Sequence, residues 1–324
     1  VHAIQVTETG GPEVLRLAEL PDPEPGPGQL LVKVAAAGVN YIDTYQRSGA
    51  YPMSLPFIPG SEGAGTVTAV GPGASDVAVG DRVAWAMSPG SYAEQALVPA
   101  EQAVPVPDGV GTDIAAGCLL QGMTAHYLTM SVHTVQPGET VLVHAAAGGM
   151  GLLLTQLVTA RGARVIGTVS TPAKERLARE AGAAEVIRYT EIDDVAAEVR
   201  RLTEGDGVAA VYDGVGASTF AASLASLHRR GILALFGAAS GPVPPVDPQR
   251  LNAAGSVFLT RPKLADYVAT RDELAWRAGE VFGAVLDGSL RITIGGRYPL
   301  AEADRAHQDL QARRTTGKLL LLPG

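Results

Sequence analysis

Thr140-Val-Leu-Val-His-Ala-Ala-Ala-Gly-Gly-Met-Gly151 decides the fold. A short apolar run passes into a turn of small residues, and a largely apolar stretch over 149–161 reads as a helix. Strand, glycine-rich turn and helix in that order open a dinucleotide-binding unit. Ala146-Ala147-Gly148-Gly149-Met150-Gly151 fits that fingerprint with alanine in place of the first glycine. Small side chains let the backbone approach a pyrophosphate, and the helix N-terminus offers it unpaired N–H groups and partial positive charge. The opposing reading is tight helix–strand packing with no ligand.

The surrounding chain supports the ligand reading. Apolar runs predict strands over 140–145, 164–169, 185–189, 208–213, 231–237 and 256–260, with helices over 149–161, 172–181, 192–203 and 219–228 between them. These strands are continuously apolar, which marks a parallel sheet covered on both faces. Six of them alternating with helices predict an α/β, doubly wound (Rossmann) domain. The first ~120 residues differ: strand candidates at 29–35, 65–70 and 81–85 are punctuated by Pro25-Gly26-Pro27-Gly28, Gly71-Pro72-Gly73 and Pro89-Gly90. That spacing suits a small barrel or sandwich. After Arg261 the pattern is helical, then Arg297-Tyr-Pro-Leu300 and Lys318-Leu-Leu-Leu-Leu322 read as strands, and the tail is expected to return to the first domain.

Composition removes several function classes. Cys118 is the only cysteine, so an intrachain disulfide and a four-cysteine zinc site are both excluded. Its apolar neighbours, Gly117 and Leu119-Leu120, predict an inert buried thiol. With 25 Lys and Arg against 33 Asp and Glu, a net charge of -8 and no basic stripe, nucleic acid is not an expected partner. The segment nearest to a membrane span, 141–158, holds His144, Gln156 and three glycines, and no leader pattern opens the chain. The expectation is a cytoplasmic protein without a membrane span.

A dinucleotide whose ribose keeps its 2′-hydroxyl calls for a carboxylate at the end of the second strand. That place reads Gly167-Thr-Val-Ser-Thr171, with no acid. Ser170, Lys174 in the next helical turn and Tyr189 at the end of the third strand suit a 2′-phosphate instead, which favours NADPH. The alternative is an apolar slot that accepts either cofactor.

Further motifs stand at Gly38-Val-Asn-Tyr-Ile-Asp43, Ile58-Pro-Gly-Ser-Glu-Gly63, Gly80-Asp-Arg-Val83, Gly122-Met-Thr-Ala125, Phe236-Gly237, Thr260-Arg-Pro262 and Gly317-Lys318. With the 146–151 turn they span the whole chain, which by them resembles the zinc-independent quinone oxidoreductase (zeta-crystallin-like) branch of the medium-chain dehydrogenase/reductase superfamily. The resemblance implies a GroES-like catalytic domain, 1–120 with 262–324, around an inserted cofactor domain, 121–261. It further implies a cofactor bound between the two domains, NADPH-dependent reduction of a quinone or other conjugated carbonyl, and a homodimer. Where zinc alcohol dehydrogenases carry cysteine and histidine, this chain has Asn40 and Ser61, and none of its six histidines pairs at ligand spacing. No metal is therefore expected, and an acceptor that delocalises charge by itself needs none.

By the same resemblance, Asn40, Tyr45 and Tyr51 line a substrate site. Asn40 is expected to donate to a carboxamide or to the substrate carbonyl. Tyr45 and Tyr51, placed on an irregular loop, are expected to face one another across a flat ring or to donate their hydroxyls. Gln121 and Thr124 stand where they could reach a nicotinamide, Thr124 being the stronger candidate, while Arg261 and Lys318 join the cofactor-binding set with Phe236 and Gly237. Two alternatives compete with quinone reduction: hydride addition to the β-carbon of an enone or alkenal, and a structural protein that binds NADPH without turnover. A dimer contact is expected at the sheet edge, Ser256-Val-Phe-Leu-Thr260.

Overall fold

Half-buried strands dominate the start of the chain. β1 (His2–Gln5) and β2 (Arg16–Glu19) form a two-stranded antiparallel ribbon. β3 (Gln29–Val39) buries Leu30, Val32 and Val34 at alternate positions, then every residue over 36–39. A period of two means one covered face, and its loss means that both faces are covered. α1 (Tyr41–Arg47), β4 (Glu62–Val70), β5 (Arg82–Trp85), β6 (Gln95–Pro99), β7 (Val104–Pro105) and α2 (Thr112–Tyr127) follow, and α2 runs on into a π-helical turn at Leu128–Val132. The computed structural model describes residues 1–74 and 76–324. They form two units, Val1–Met123 with Val268–Gly324 (unit 1) and Thr124–Tyr267 (unit 2).

Unit 2 alternates strand and helix: β8 (Thr140–Val143), α3 (Gly149–Ala160), β9 (Arg164–Val169), α4 (Pro172–Glu180), β10 (Glu185–Arg188), α5 (Val195–Leu202), β11 (Val208–Asp213), α6 (Phe220–Ser226), β12 (Leu227–Leu235), α7 (Gln249–Ala253) and β13 (Phe258–Thr260). The sheet is wholly parallel, in the order β10-β9-β8-β11-β12-β13. Strand order reverses at β8 and β11, and a doubly wound sheet binds ligands beyond the carboxyl ends of its strands at such a point. Leu142, Ile166, Val211 and Leu233 fill the core. One element differs from the sequence reading. The helix expected to reach residue 228 stops at Ser226, and β12 begins at Leu227, which pairs with Val208 across an irregular register while Arg230 takes φ 61°. Pairing with a buried strand overrides the helical preference of that segment.

The tail returns to unit 1. α8 (Arg271–Leu286) starts with a capping box between Thr270 and Glu273. β14 (Ile294–Pro299), α9 (Ala303–Gln311) and β15 (Lys318–Leu322) follow. β15 lies inside the seven-stranded sheet, ordered β14-β15-β3-β4-β5-β7 with β6 also on β3. That interior place explains its run of four leucines. Leu319 and Leu321 join Leu30, Val32, Trp85 and Tyr92 in one core.

Candidate functional site

In unit 1, three neighbouring strands deliver three polar side chains to one place. Leu319 of β15 faces Val39 of β3, and Gly38 faces Glu62 of β4. Side chains alternate along a strand, so Gly38, Asn40, Glu62 and Lys318 fall on the same face. Lys318 Nζ lies 2.6 Å from Glu62 Oε2 and 2.7 Å from Asn40 Oδ1. Asn40 Nδ2 donates to the same Glu62 oxygen at 2.9 Å and to Gly38 O at 3.3 Å, while Leu120 N–H of α2 donates to Glu62 Oε1 at 2.8 Å. Lys318, Glu62 and Asn40 are all buried. The expectation that Asn40 donates to a ligand is corrected: both amide hydrogens are already directed at Glu62 and Gly38. Lys318, expected among cofactor-binding residues, has its ammonium enclosed with Glu62 and Asn40.

Asn40 N–H also donates to Asp43 Oδ2 at 2.9 Å, which fixes the start of α1. Asp43 Oδ1 accepts from the Ser61 hydroxyl at 2.9 Å and the Ser61 N–H at 3.1 Å. The Tyr92 hydroxyl donates to Asp43 Oδ2 at 3.1 Å and lies 3.0 Å from His307 Nε2. A phenol has one hydrogen, so when Asp43 is ionised the imidazole offers Nε2–H to the phenol oxygen. Burial pushes the Asp43 carboxyl up to about 6 despite these donors, and pushes His307 down to about 3.

Tyr45 lies on α1, not on an irregular loop, and Tyr51 follows the helix with its N–H on Tyr45 O at 3.0 Å. Their ring centroids are 5.2 Å apart at 55°. A sandwiched ring needs two stacking distances between parallel faces, so the expected slot between these tyrosines is absent. They form instead one apolar surface with Tyr41, whose ring lies 6.3 Å from that of Tyr45, and Tyr51 is 42% exposed.

In unit 2 the strand–turn–helix is built as the sequence suggests, at the carboxyl end of β8. Ala146 and Ala147 are buried, so they can offer a ligand only backbone, and Ala146 N–H is committed to Thr168 O at 3.0 Å. Ala145, ahead of the turn, takes φ 51°. Gly148, Gly149 and Met150 are half-buried, and no side chain caps α3. The first-turn N–H groups of a helix have no partner within it, and here they remain open to an anion. Gly151 has no room for a side chain: a Cβ would stand 2.3 Å from Ala145 O and 2.6 Å from Ala146 Cα.

A buried chain of hydrogen bonds underlies this turn. Ser223 Oγ donates to Asp213 Oδ2 at 2.7 Å, so it accepts from His144 Nε2 at 2.9 Å. His144 Nδ1 then accepts from the Thr168 hydroxyl at 3.0 Å, and Ala145 N–H reaches that hydroxyl oxygen at 3.3 Å. Burial lowers the His144 pKa, with Asp213 opposing, which fits a neutral imidazole used as a link. Asp213 also gathers N–H groups of Val215 and Gly216 and the Thr219 hydroxyl. Sequence reasoning missed His144, Thr168, Ser223 and Asp213, as it missed Tyr92 and His307. Only Thr168 and Asp213, polar residues inside otherwise apolar strands, carried a local signal.

Ser170 follows β9 directly, and Lys174 lies in the first turn of α4. Tyr189 N–H bonds Val169 O at 3.1 Å, placing its half-exposed ring beside the end of β9, and Thr171 caps α4 by accepting from Lys174 N–H. Phe236 follows β12 with its N–H on Asp213 O at 2.9 Å, and a Cβ at Gly237 would strike Gly214 O at 2.3 Å. Thr124 is buried in α2, and Arg261 is exposed beyond β13.

The chain matches two family models, described as alcohol dehydrogenase GroES-like domain over residues 26–108 and zinc-binding dehydrogenase over 149–269. A quinone oxidoreductase of Pseudomonas aeruginosa is 47% identical over 322 residues, 99% of each chain. The chain belongs to the quinone oxidoreductase branch of the medium-chain dehydrogenase/reductase superfamily. A 2-haloacrylate reductase of a Burkholderia species is 41% identical, covering 100% of this chain and 99% of the relative. A mycobacterial protein solved in complex with NADPH is 59% identical over the whole of both chains, with a TM-score of 0.96.

The name of the second family model raises the question of zinc in this medium-chain dehydrogenase/reductase. The residues do not fit it. Asn40 is held by an ammonium 2.7 Å away, Ser61 donates its hydroxyl to Asp43, and among the described residues no three His, Cys, Asp or Glu side chains gather as a metal site. A cation of the protein's own already sits beside Asn40.

Proposed function

We propose that this chain is a zinc-independent NADPH-dependent reductase of quinones. The observation that carries the reading is the amide of Asn40 held between Lys318 and Glu62 where the zinc enzymes place a cysteine. Without a Lewis acid, a saturated ketone is a poor hydride acceptor, whereas a quinone spreads the incoming charge over its own ring. The open first turn of α3, with the small residues that bring it close, suits the charge of a pyrophosphate, and Ser170, Lys174 and Tyr189 suit a 2′-phosphate. Bound NADPH supplies a hydride from C4 of its nicotinamide. The tyrosine surface of α1 gives a flat acceptor an apolar face, and the reduced quinone, weakly basic, takes its proton from water. The mycobacterial NADPH complex and the Pseudomonas quinone oxidoreductase support both halves of this reading.

The Burkholderia relative favours a second reading, hydride addition to an activated carbon–carbon double bond. Oxidation of NADPH against quinones, enals and saturated aldehydes, repeated with NADH, separates the two. Quinones should be turned over fastest, with NADPH preferred and activity indifferent to chelators. Faster reduction of enals would favour the second reading. Saturated aldehydes reduced only after zinc is restored would reject both. Binding of NADPH with no turnover on any acceptor would leave the structural role.

Association is part of the proposal. β13 is the last strand of its sheet and Phe258 is 61% exposed, so pairing with the same strand of a second copy would cover it. Sedimentation should give a dimer at micromolar protein. Among the described residues no helix is long and apolar enough to cross a membrane, and we retain the expectation of a cytoplasmic location.

A further inference from the structure

Ala145 takes a conformation that is uncommon for a residue with a side chain. It is exposed and has φ 51°, in the left-handed region that favours glycine. Such a conformation persists where the surroundings fix it, and it gathers at functional sites. The backbone that follows is built on it. Ala145 O accepts from Gly148 N–H at 2.8 Å, and a Cβ at Gly151 would stand 2.3 Å from the same oxygen, so the first turn of α3 is seated on the Ala145 carbonyl.

A hydroxyl holds Ala145 in place. On either side of it the chain bonds to strand neighbours: His144 N–H donates to Tyr212 O of β11 at 3.1 Å, and Ala146 N–H donates to Thr168 O of β9 at 3.0 Å. Between them, Ala145 N–H donates to the Thr168 hydroxyl oxygen at 3.3 Å. The direction of that hydroxyl is decided at Asp213. An ionised carboxylate only accepts, so Asp213 requires the hydrogen of Ser223. His144 Nε2–H then donates to Ser223, the Thr168 hydroxyl donates to the bare Nδ1, and Thr168 has only lone pairs left to meet Ala145 N–H. Asp213 also accepts from the N–H groups of Val215 and Gly216 and from the Thr219 hydroxyl. One carboxylate thus orders both the turn after β8 and the loop after β11, the two strands at which the sheet reverses. Every residue of this chain of bonds belongs to unit 2.

We propose that His144, aimed by Asp213 through Ser223, is a positioning residue: it turns the Thr168 hydroxyl to hold Ala145 left-handed, and so presents the first-turn N–H groups of α3 to a pyrophosphate. The inference rests on the reading of the chain as an NADPH-dependent reductase, and it concerns only the adenosine diphosphate half of that cofactor.

The test uses 2′-phospho-ADP-ribose, which carries the pyrophosphate and no nicotinamide, and adenosine 2′-phosphate, which carries neither. Thr168→Val keeps the shape of the side chain and removes the hydroxyl. It should weaken equilibrium binding of 2′-phospho-ADP-ribose roughly 2- to 10-fold, the worth of one neutral hydrogen bond, and leave binding of adenosine 2′-phosphate unchanged. Thr168→Ser should restore native binding. Where Thr168→Val does not fold, Ser223→Ala, which leaves Asp213 its donors from the loop, should show the same split. In the native protein the imidazole nitrogen resonances of His144 should report a bare Nδ1 and a protonated Nε2 at pH 7. A protonated Nδ1, equal losses for the two ligands, or a folded Thr168→Val with native affinity for both overturns the proposal. A native protein that binds neither ligand overturns the functional reading beneath it.

Discussion

The two candidate regions are held together by opposite means. In unit 1 the cluster at Asn40 depends on full charges taken out of water: Lys318 and Glu62, with Asp43 one residue-pair away on α1. In unit 2 the glycine turn is held by backbone amides, small residues and a neutral hydroxyl–imidazole–hydroxyl chain that ends on Asp213. Charges tolerate little change in chemistry, and close-packed backbone tolerates little change in volume. The first region should therefore break when a partner is removed, and the second when an atom is added.

The largest expected effect comes from removing a charge. Glu62→Leu leaves a buried ammonium without its partner and should cost about 3–5 kcal/mol in a denaturant titration. A loss under about 1 kcal/mol would mean that water reaches Lys318 and that the region is not dry. The counterpart in unit 2 is Gly151→Ala. Its methyl would meet backbone at Ala145 and Ala146, which cannot swing aside. Overpacking of this kind costs about 1–3 kcal/mol, and NADPH affinity should fall with it. An alanine variant of native stability and affinity would show that the turn has slack.

Acid should also find unit 1. His307, lowered to about 3 from the ordinary 6.5, resists protonation in the folded state, so its contribution is complete above pH 6.5 and is lost as pH falls toward 3. Asp43, raised to about 6 from 3.8, has the opposite sign: its contribution is complete below 3.8 and is lost as pH rises through 6. At about 1.4 kcal/mol for each pH unit of displacement, the two contributions largely offset one another between pH 6.5 and pH 4. His307→Gln leaves the aspartate contribution unopposed, so its stability should rise relative to the native protein's as pH falls from 6 to 4. An unchanged slope in the variant would assign the acid sensitivity to other groups.

Lys174→Ala should raise the KM for NADPH by roughly tenfold and leave that for NADH unchanged, since a charge-assisted hydrogen bond is worth about 1.5–3 kcal/mol. Equal losses with both cofactors would remove Lys174 from 2′-phosphate recognition. The smallest effect is expected from Tyr51→Phe. Tyr51 packs on Tyr45 and presents its ring, so turnover should stay within about twofold. A fall of two decades with cofactor binding intact would make its phenol a proton donor.

How much of this was legible depends on separation along the chain. The turn at 146–151 could be read because strand, glycines and helix are consecutive. The strand ends next to Ser170 and Tyr189 could be placed because βα units repeat at a regular spacing. The mutual geometry of Tyr45 and Tyr51 is not legible in the sequence. The helix at Tyr41–Arg47 turns two rings that a loop could have opposed into one surface.

The chain by itself determined the doubly wound domain, the small residues at the turn of β8 and the absence of cysteine and histidine where zinc enzymes have them. These are local facts, fixed by periodicity, by backbone sterics and by which atoms can ligate a metal. Only the tertiary structure decided what Asn40 does. Its partners lie 22 and 278 positions away, brought alongside by the order β15-β3-β4 and the register of those strands. A hydrogen bond takes its direction from which side carries the donor. No pattern along the chain reveals that an ammonium will face one end of that amide and a carboxylate the other.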